Sequence, residues 1–215
     1  MSMINITILC SSKEHPVNSV LNNWIENHAH YQVELVRKKE DLLGGDILFL
    51  VSCSEIIAEA ERRKYKKTLV LHASDLPDGR GWSPHVWGVV NGHDKLTLSL
   101  IEAEDDVDTG DIWKKKKFSV PKDYLYDEIN DAIFCAEYEL MEFAVDNFED
   151  VHPMPQRERT QGDKYYRKRV PEDSKLDPSK SISEQFDLIR VCDPDRYPAF
   201  FEMHGCTYKI RLEKA

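Results

Sequence analysis

Apolar residues recur along this chain in two rhythms. The opening "INITILC" is a short, β-branched run bounded by polar residues, the pattern of a buried strand, and "SSKEHP" follows it as a loop. From Val17 to His28 the apolar positions Val17, Val20, Leu21, Trp24 and Ile25 fall three and four apart, on one face of a helix. "YQVELV" alternates as a strand, and "DILFLVSC" is a continuous apolar run suited to a parallel strand covered on both faces. "SEIIAEAERRKYKK" predicts a helix opened by Ser54. "TLVLH" predicts the next buried strand, ending on His72. Strands and helices alternating in this order predict an α/β fold with a mainly parallel sheet.

The rhythm changes after His72. Beyond the loop "ASDLPDGRGW", "SPHVWGVVNG" predicts a short helix with Pro84 in its first turn and Gly92 at its end. "KLTLSLIEA" and "DIWKKKKFSVP" predict an antiparallel pair at one side of the sheet, joined by the acidic "EDDVDTG". One amphipathic helix is predicted from Tyr124 to Phe148, covering a sheet face. The stretch after it, "EDVHPMPQRERTQGDKYYRKRVPEDSKLDPSK", is polar and punctuated by prolines, an extended connection. Ser181 and Glu184 stand at capping-box spacing at the head of "SISEQFDLIRVC", and "AFFEMHGCTYKIRLEK" predicts a hairpin turning at His204 and Gly205. The expected whole is a Rossmann-like twisted sheet flanked by helices over residues 1–152. A C-terminal extension over 153–215 carries a linker, a small helix and a β-hairpin.

Composition removes several classes of function. The 215 residues include 29 basic and 39 acidic side chains, a formal charge of −10, the wrong sign for a protein that gains affinity by neutralising nucleic-acid phosphates. Cys10, Cys53, Cys135, Cys192 and Cys206 are odd in number and form no CxxC pair, so neither a disulfide framework nor a metal site is expected. No positively charged segment precedes the first apolar run, and no run approaches the ~20 apolar residues of a membrane span. A soluble, cytoplasmic protein with no membrane or nucleic-acid partner is expected.

Candidate chemistry gathers at the end of "KTLVLH". Ligands of open α/β sheets bind beyond the carboxyl ends of the strands, which is where His72 falls. The "DGRG" that follows supplies a flexible backbone and a fixed cation, and "EDDVDTGDI" supplies carboxylates at another turn. An aspartate beside an imidazole orients it for general acid or base work. His72, Ser74, Leu76, Pro77, Arg80, Gly81 and Trp87, with Asp108, Gly110 and Ile112 beginning thirty-six residues after the histidine, resemble the folate-dependent formyltransferases. The tail "RVPEDSKLDPSKSISEQFDLIRVCDPDRYPAFF" is similar to the branch acting on sugars, especially in pseudaminic acid-type pathways.

The resemblance implies transfer of a formyl group from N10-formyltetrahydrofolate, with no metal, to the primary amine of a nucleotide-activated amino sugar for surface glycan synthesis. His72 would stabilise the oxyanion and shuttle a proton, Asp108 would hold His72 or a water, and Ser74 belongs to the same catalytic group. Two segments would grip the pterin, one with Ser54, Ile56 and Ile57 and the other with Asp105, Asp106 and Val107, although Ile56 and Ile57 also suit the core face of a helix. Substrate phosphate calls for arginine or lysine, and Lys13, Arg80, Arg167 and Arg169 are the candidates, with Trp82 placed to stack or simply to pack. The lysines of "WKKKKF" read as a solvated sheet edge. The family carries an asparagine two residues before its histidine, where this chain has Val70. One lost oxyanion donor costs about 10²- to 10³-fold in rate. Thr68, Ser74, Asn91 and loop N–H groups are the candidate replacements, and a binding protein with impaired catalysis is the alternative. Methionyl-tRNA or a purine intermediate is a further possible acceptor; the tRNA reaction calls for a basic accessory domain, which the acidic balance opposes. Relatives of this kind often form homodimers.

Overall fold

The computed structural model describes residues 3–215; the first two residues of the N-terminal stretch lie outside the described residues. In chain order the elements are β1 (Asn5–Leu9), α1 (Val17–Asn27), β2 (Gln32–Val36), β3 (Gly45–Leu50), α2 (Glu59–Arg62), β4 (Tyr65–His72), β5 (Arg80–Gly81), α3 (Pro84–Val90), β6 (Lys95–Glu102), β7 (Ile112–Ser119), α4 (Tyr126–Asp146), β8 (Tyr165–Tyr166), α5 (Ile182–Val191), β9 (Ala199–Met203) and β10 (Cys206–Ile210). Six strands form one sheet in the order β2-β1-β3-β4-β6-β7. The first four run parallel, and β6 and β7 add on antiparallel, as their alternating patterns predict.

Alternation along the strands divides the core. Ile6 and Ile8 of β1, Ile47 and Phe49 of β3, and Leu69 and Leu71 of β4 face α1 and α4, whose Val17, Leu21, Trp24, Ile133 and Leu140 complete the larger cluster. The other face carries Leu9, Leu48, Leu50 and Val70, capped by Val36, Leu42, Ile57 and Tyr65. Thr68, Val70 and His72, spaced by two, share this second face.

The predicted helix from Ser54 is a correction. Helix forms only over Glu59–Arg62, with Ala58 extended before it. Residues 54–58 instead run irregularly over the second face, turning Ile57 into the core and leaving Ile56 63% exposed. Ser54 caps nothing; its N–H donates to Ser11 Oγ at 3.0 Å.

The C-terminal elements follow the sequence closely. Ser181 caps α5, its Oγ accepting from the Glu184 N–H while the Glu184 carboxylate accepts from the Ser181 N–H. β9 and β10 pair antiparallel, with His204 and Gly205 both at positive φ in the turn. Among the described residues no helix is long and apolar enough to cross a membrane.

The chain passes from β1 outward to β2 and then returns to the opposite side of β1 for β3, so strand order reverses between β1 and β3. The loops leaving these two strands therefore part, and the crevice between them is where open α/β sheets bind ligands. His72 ends the adjacent strand.

Candidate active site

β4 carries His72 to the carboxyl edge of the sheet, and the following loop folds back over it. The ring Nε2–H donates to the Gly79 carbonyl at 3.0 Å, while Nδ1 lies 3.3 Å from Asp108 Oδ1. Both side chains are buried, at 8% and 6% exposure. The other carboxylate oxygen of Asp108 accepts from the Gly81 N–H at 2.9 Å, so one carboxylate holds both the imidazole and the loop. Asp108 sits at φ +60°, a left-handed conformation that aspartate tolerates better than most residues.

The loop is held from outside as well. β5 pairs with β8, Gly79 N–H donates to the Lys164 carbonyl at 3.1 Å, and Lys164 N–H donates to Asp78 Oδ1 at 2.6 Å. Gly81 has φ +100°, and a Cβ there would stand 2.2 Å from the Tyr166 carbonyl oxygen. Gly81→Ala therefore costs about 2 kcal/mol or more in backbone strain alone. For a chain of this size that is ~4–8 °C in melting temperature, measurable by circular dichroism.

Gln156 completes the frame. Its Nε2 donates to the carbonyls of Asp108 at 3.0 Å and Gly110 at 2.9 Å, and its Oε1 accepts from Arg80 Nη2 at 3.2 Å. A lone glutamine in a polar stretch gives no signal in sequence. Its role appears only once residues 153–156 lie beside β7, where Met154 and Ile112 exchange backbone hydrogen bonds.

The remaining predicted residues surround this pair unevenly. Ser74 is buried, its Oγ has no partner, and its carbonyl accepts from Ser99 Oγ at 2.7 Å. Arg80 is half-buried with Nε unpartnered. Lys13 is exposed in the loop after β1. Trp82 is 39% exposed, with Lys168 Nζ 4.8 Å from its ring centroid. Arg167 is committed to both carboxylate oxygens of Asp173, and Arg169 donates to the Asp173 carbonyl and Ser174 Oγ. Both guanidinium groups also lie over the Trp87 ring, which stacks on Tyr166. Lys115, on the edge strand β7, reaches back to the Leu76 carbonyl at 2.7 Å and braces the loop.

The two segments expected to hold the pterin adjoin. Arg62 bridges them, donating to the Ile57 carbonyl and to Asp105 Oδ1, each at 2.8 Å. Asp105, Asp106 and Val107 are exposed, and the Asp106 carbonyl accepts from Thr109 Oγ1, rounding the turn that presents Asp108.

Two further imidazoles carry lowered pKa values, one in the loop after β1 and one in α3. His15, in the loop after β1, accepts the Val17 N–H on Nδ1 at 3.3 Å; burial and the nearby Arg196 push its pKa down to about 4. His85, second residue of α3, is likewise pushed down to about 4, by burial and by His15, His72 and Arg169. Both rings are neutral at physiological pH.

The sequence pattern of the formyl transferase family matches residues 7–145, from within β1 to the penultimate residue of α4, and includes both members of the His72–Asp108 pair. The chain belongs to the formyl transferase family. Methionyl-tRNA formyltransferase of Rickettsia bellii is 27% identical over 171 residues, covering 78% of this chain and 55% of that protein. The chain spans about half the length of the curated relatives it matches. Among solved structures, methionyl-tRNA formyltransferase from Clostridium thermocellum superposes with TM-score 0.80 at 22% identity, over 95% of this chain and 90% of that one. A 4-N formyltransferase from Francisella tularensis gives TM-score 0.72 at 16% identity, over 98% of each chain. HypX from Aquifex aeolicus, in complex with tetrahydrofolic acid, gives 0.76 at 19%, over 96% of this chain and 37% of that one. These likenesses establish a formyltransferase fold.

Proposed function

We propose that this member of the family transfers the formyl group of N10-formyltetrahydrofolate to the primary amine of a nucleotide-activated amino sugar, in the synthesis of a surface glycan. The observation that carries the reading is the buried His72–Asp108 pair at a strand end beside the crevice, with an exposed tryptophan–cation array on the adjoining loop. The folate donor is supported by family membership and by the tetrahydrofolate complex of HypX.

In this reading the amine attacks the formyl carbon, the C–N bond forms and the carbonyl π pair moves to oxygen. His72 exchanges its Gly79 partner for that oxyanion, donating from Nε2. Asp108 fixes the ring through Nδ1 and assists loss of the amine proton. Collapse re-forms the carbonyl and expels N10 of the folate, which takes up a proton. The pterin would rest against residues 54–57 and 105–107. Ser74, Arg80, Lys13 and Arg169 line the approach.

Trp82 and Lys168 fit a nucleotide. An exposed indole offers a base a stacking face, and Lys168 makes no ion pair among the described residues, which leaves it available for phosphate. Arg167 is already neutralised by Asp173. In a Trp87→Phe background, titration with nucleoside diphosphates is expected to quench Trp82 fluorescence, while Trp24 and Trp113 stay buried and silent. Trp82→Phe should remove most of the quench and Lys168→Ala should weaken binding about tenfold. Equal quenching in Trp82→Phe would refute the assignment.

A second reading has its own support, because the curated relatives are methionyl-tRNA formyltransferases. The chain's charge of −10 opposes a tRNA acceptor. Incubation with N10-formyltetrahydrofolate and a panel of amino sugar nucleotides, with methionyl-tRNA alongside, decides between them by which amine becomes formylated.

A further inference from the structure

We infer that Gln156 is a positioning residue of the reaction, setting its rate by fixing the turn from which Asp108 reaches His72. The inference rests on the formyl-transfer reading. It makes the stretch after α4, which lies outside the family match at residues 7–145, part of the catalytic apparatus.

The turn that presents Asp108 has little of its own to hold it. Residues 104–107 are exposed, and among the described residues 104–110 make no backbone-to-backbone hydrogen bond. Within the turn, Thr109 Oγ1 donates to the Asp106 carbonyl at 2.7 Å. Gly110 is pressed against β6, where a Cβ would stand 1.8 Å from the Glu102 carbonyl oxygen. Asp108 meanwhile sits at φ +60°, a conformation that persists in a residue with a side chain only where its surroundings enforce it.

Gln156 supplies that enforcement. Its Nε2 donates to the carbonyls of residues 108 and 110, gripping the turn on both sides of Thr109. Its Oε1 accepts from Arg80, which stands between Gly79 and Gly81. Gly79 O accepts from His72, and Gly81 N–H donates to Asp108 Oδ2. One amide therefore ties the turn carrying Asp108 to the loop carrying the other partners of both His72 and Asp108. Two carbonyls that only accept and a guanidinium that only donates require a side chain with two donors and one acceptor at its tip, which glutamine has and glutamate lacks. Gln156 is itself anchored two residues earlier, where Met154 and Ile112 exchange hydrogen bonds of 2.8 and 2.9 Å at the start of β7.

The distance that matters is the 3.3 Å between His72 Nδ1 and Asp108 Oδ1. A hydrogen bond that long is lost on a displacement of a few tenths of an ångström, so a loosened turn costs rate before it costs the fold. Gln156 touches no reacting atom and exchanges no proton; it acts through Asp108.

The test compares rates with N10-formyltetrahydrofolate, using the amine that becomes formylated in the panel and, alongside it, water, whose attack passes through a tetrahedral species of the same kind. Gln156→Met keeps the length and loses every hydrogen bond. It is expected to lower kcat about 10- to 10²-fold with KM for the donor within about threefold. Gln156→Glu should fall at least as far, because it keeps the contact to Arg80 and cannot donate to the turn; it also serves if Gln156→Met does not fold. In an Asp108→Asn background, Gln156→Met should cost less than about threefold, since the residue through which it acts is already impaired. Amide hydrogen exchange reads the positioning without any turnover: Gly81, freed from Asp108, should exchange at least about tenfold faster in Gln156→Met, while the amides of β3 and β4 keep parental rates. Parental kcat in the folded variants overturns the inference, as does an equal fractional loss in the Asp108→Asn background or an unchanged Gly81 exchange rate. A parent inert toward every amine and toward water overturns the formyl-transfer reading, and this inference with it. A working parent beside unimpaired folded variants overturns the inference alone.

Discussion

His72→Ala is expected to leave a folded protein whose formyl transfer has fallen about 10³- to 10⁴-fold, and Asp108→Asn to cost at least ~10²-fold. The two substitutions act on different parts of one device. Alanine at position 72 removes the Nε2–H meant for the oxyanion and leaves Gly79 O and Asp108 Oδ1 without their shared partner. Asparagine at position 108 is the more selective change. Its Oδ1 can still accept from the Gly81 N–H, so the loop stays in place, but the charge beside Nδ1 is gone and an amide donor can take its place. Asp108→Ala loses the loop tie as well and should also melt earlier, so it cannot separate the two roles. Steady-state kinetics with circular dichroism melts read both effects. Asp108→Asn with parental kcat would show that the carboxylate serves only as a loop anchor, and a parental His72→Ala would remove His72 from the chemistry.

The sequence made this pair legible because two local signals coincide with one long-range one. A strand ending in histidine and a turn rich in carboxylates are each ordinary; their thirty-six-residue separation is what relates them. The hairpin of β9 and β10 was equally plain, since alternation on both sides of His204 and Gly205 leaves one register. What could not be read depends on distant partners. β5 and β8 are two residues each and exist only through one another, so neither carries a periodicity. Gln156 is a clamp because residues 153–156 meet β7. The error at Ser54 has a different origin: an Ile-Ile pair fits a helix face and an in-out extended segment equally well. The second sheet face decided it by taking Ile57 alone.

Position 137 is where the helical pattern and its chemistry disagree, and it sets the largest stability prediction. Ile133, Phe134, Leu140, Met141 and Ala144 of α4 all face the core, and Glu137 occupies the same stripe. It is 7% exposed, its Oε2 has no hydrogen-bond partner, and burial pushes its pKa up to about 8. The unfolded chain releases this proton near pH 4.5 and the folded chain near 8, so between those values unfolding is coupled to proton release. Stability falls by about 1.4 kcal/mol per pH unit across that window, roughly 5 kcal/mol in all, and is flat with respect to this group above it. His15 and His85 act in the opposite sense: their folded pKa values near 4 make stability fall as pH drops from ~6.5 toward 4. The difference between variant and parent isolates Glu137 from both. Glu137→Gln, close in shape to the protonated acid, should match the parent near pH 4.5 and exceed it by several kcal/mol at pH 8, about 10 °C in melting temperature. Glu137→Met, which needs no partner at all, should gain at both pH values. Melting curves of the three proteins from pH 5 to 9 give the answer, and parallel curves would mean that Glu137 ionises freely in the fold.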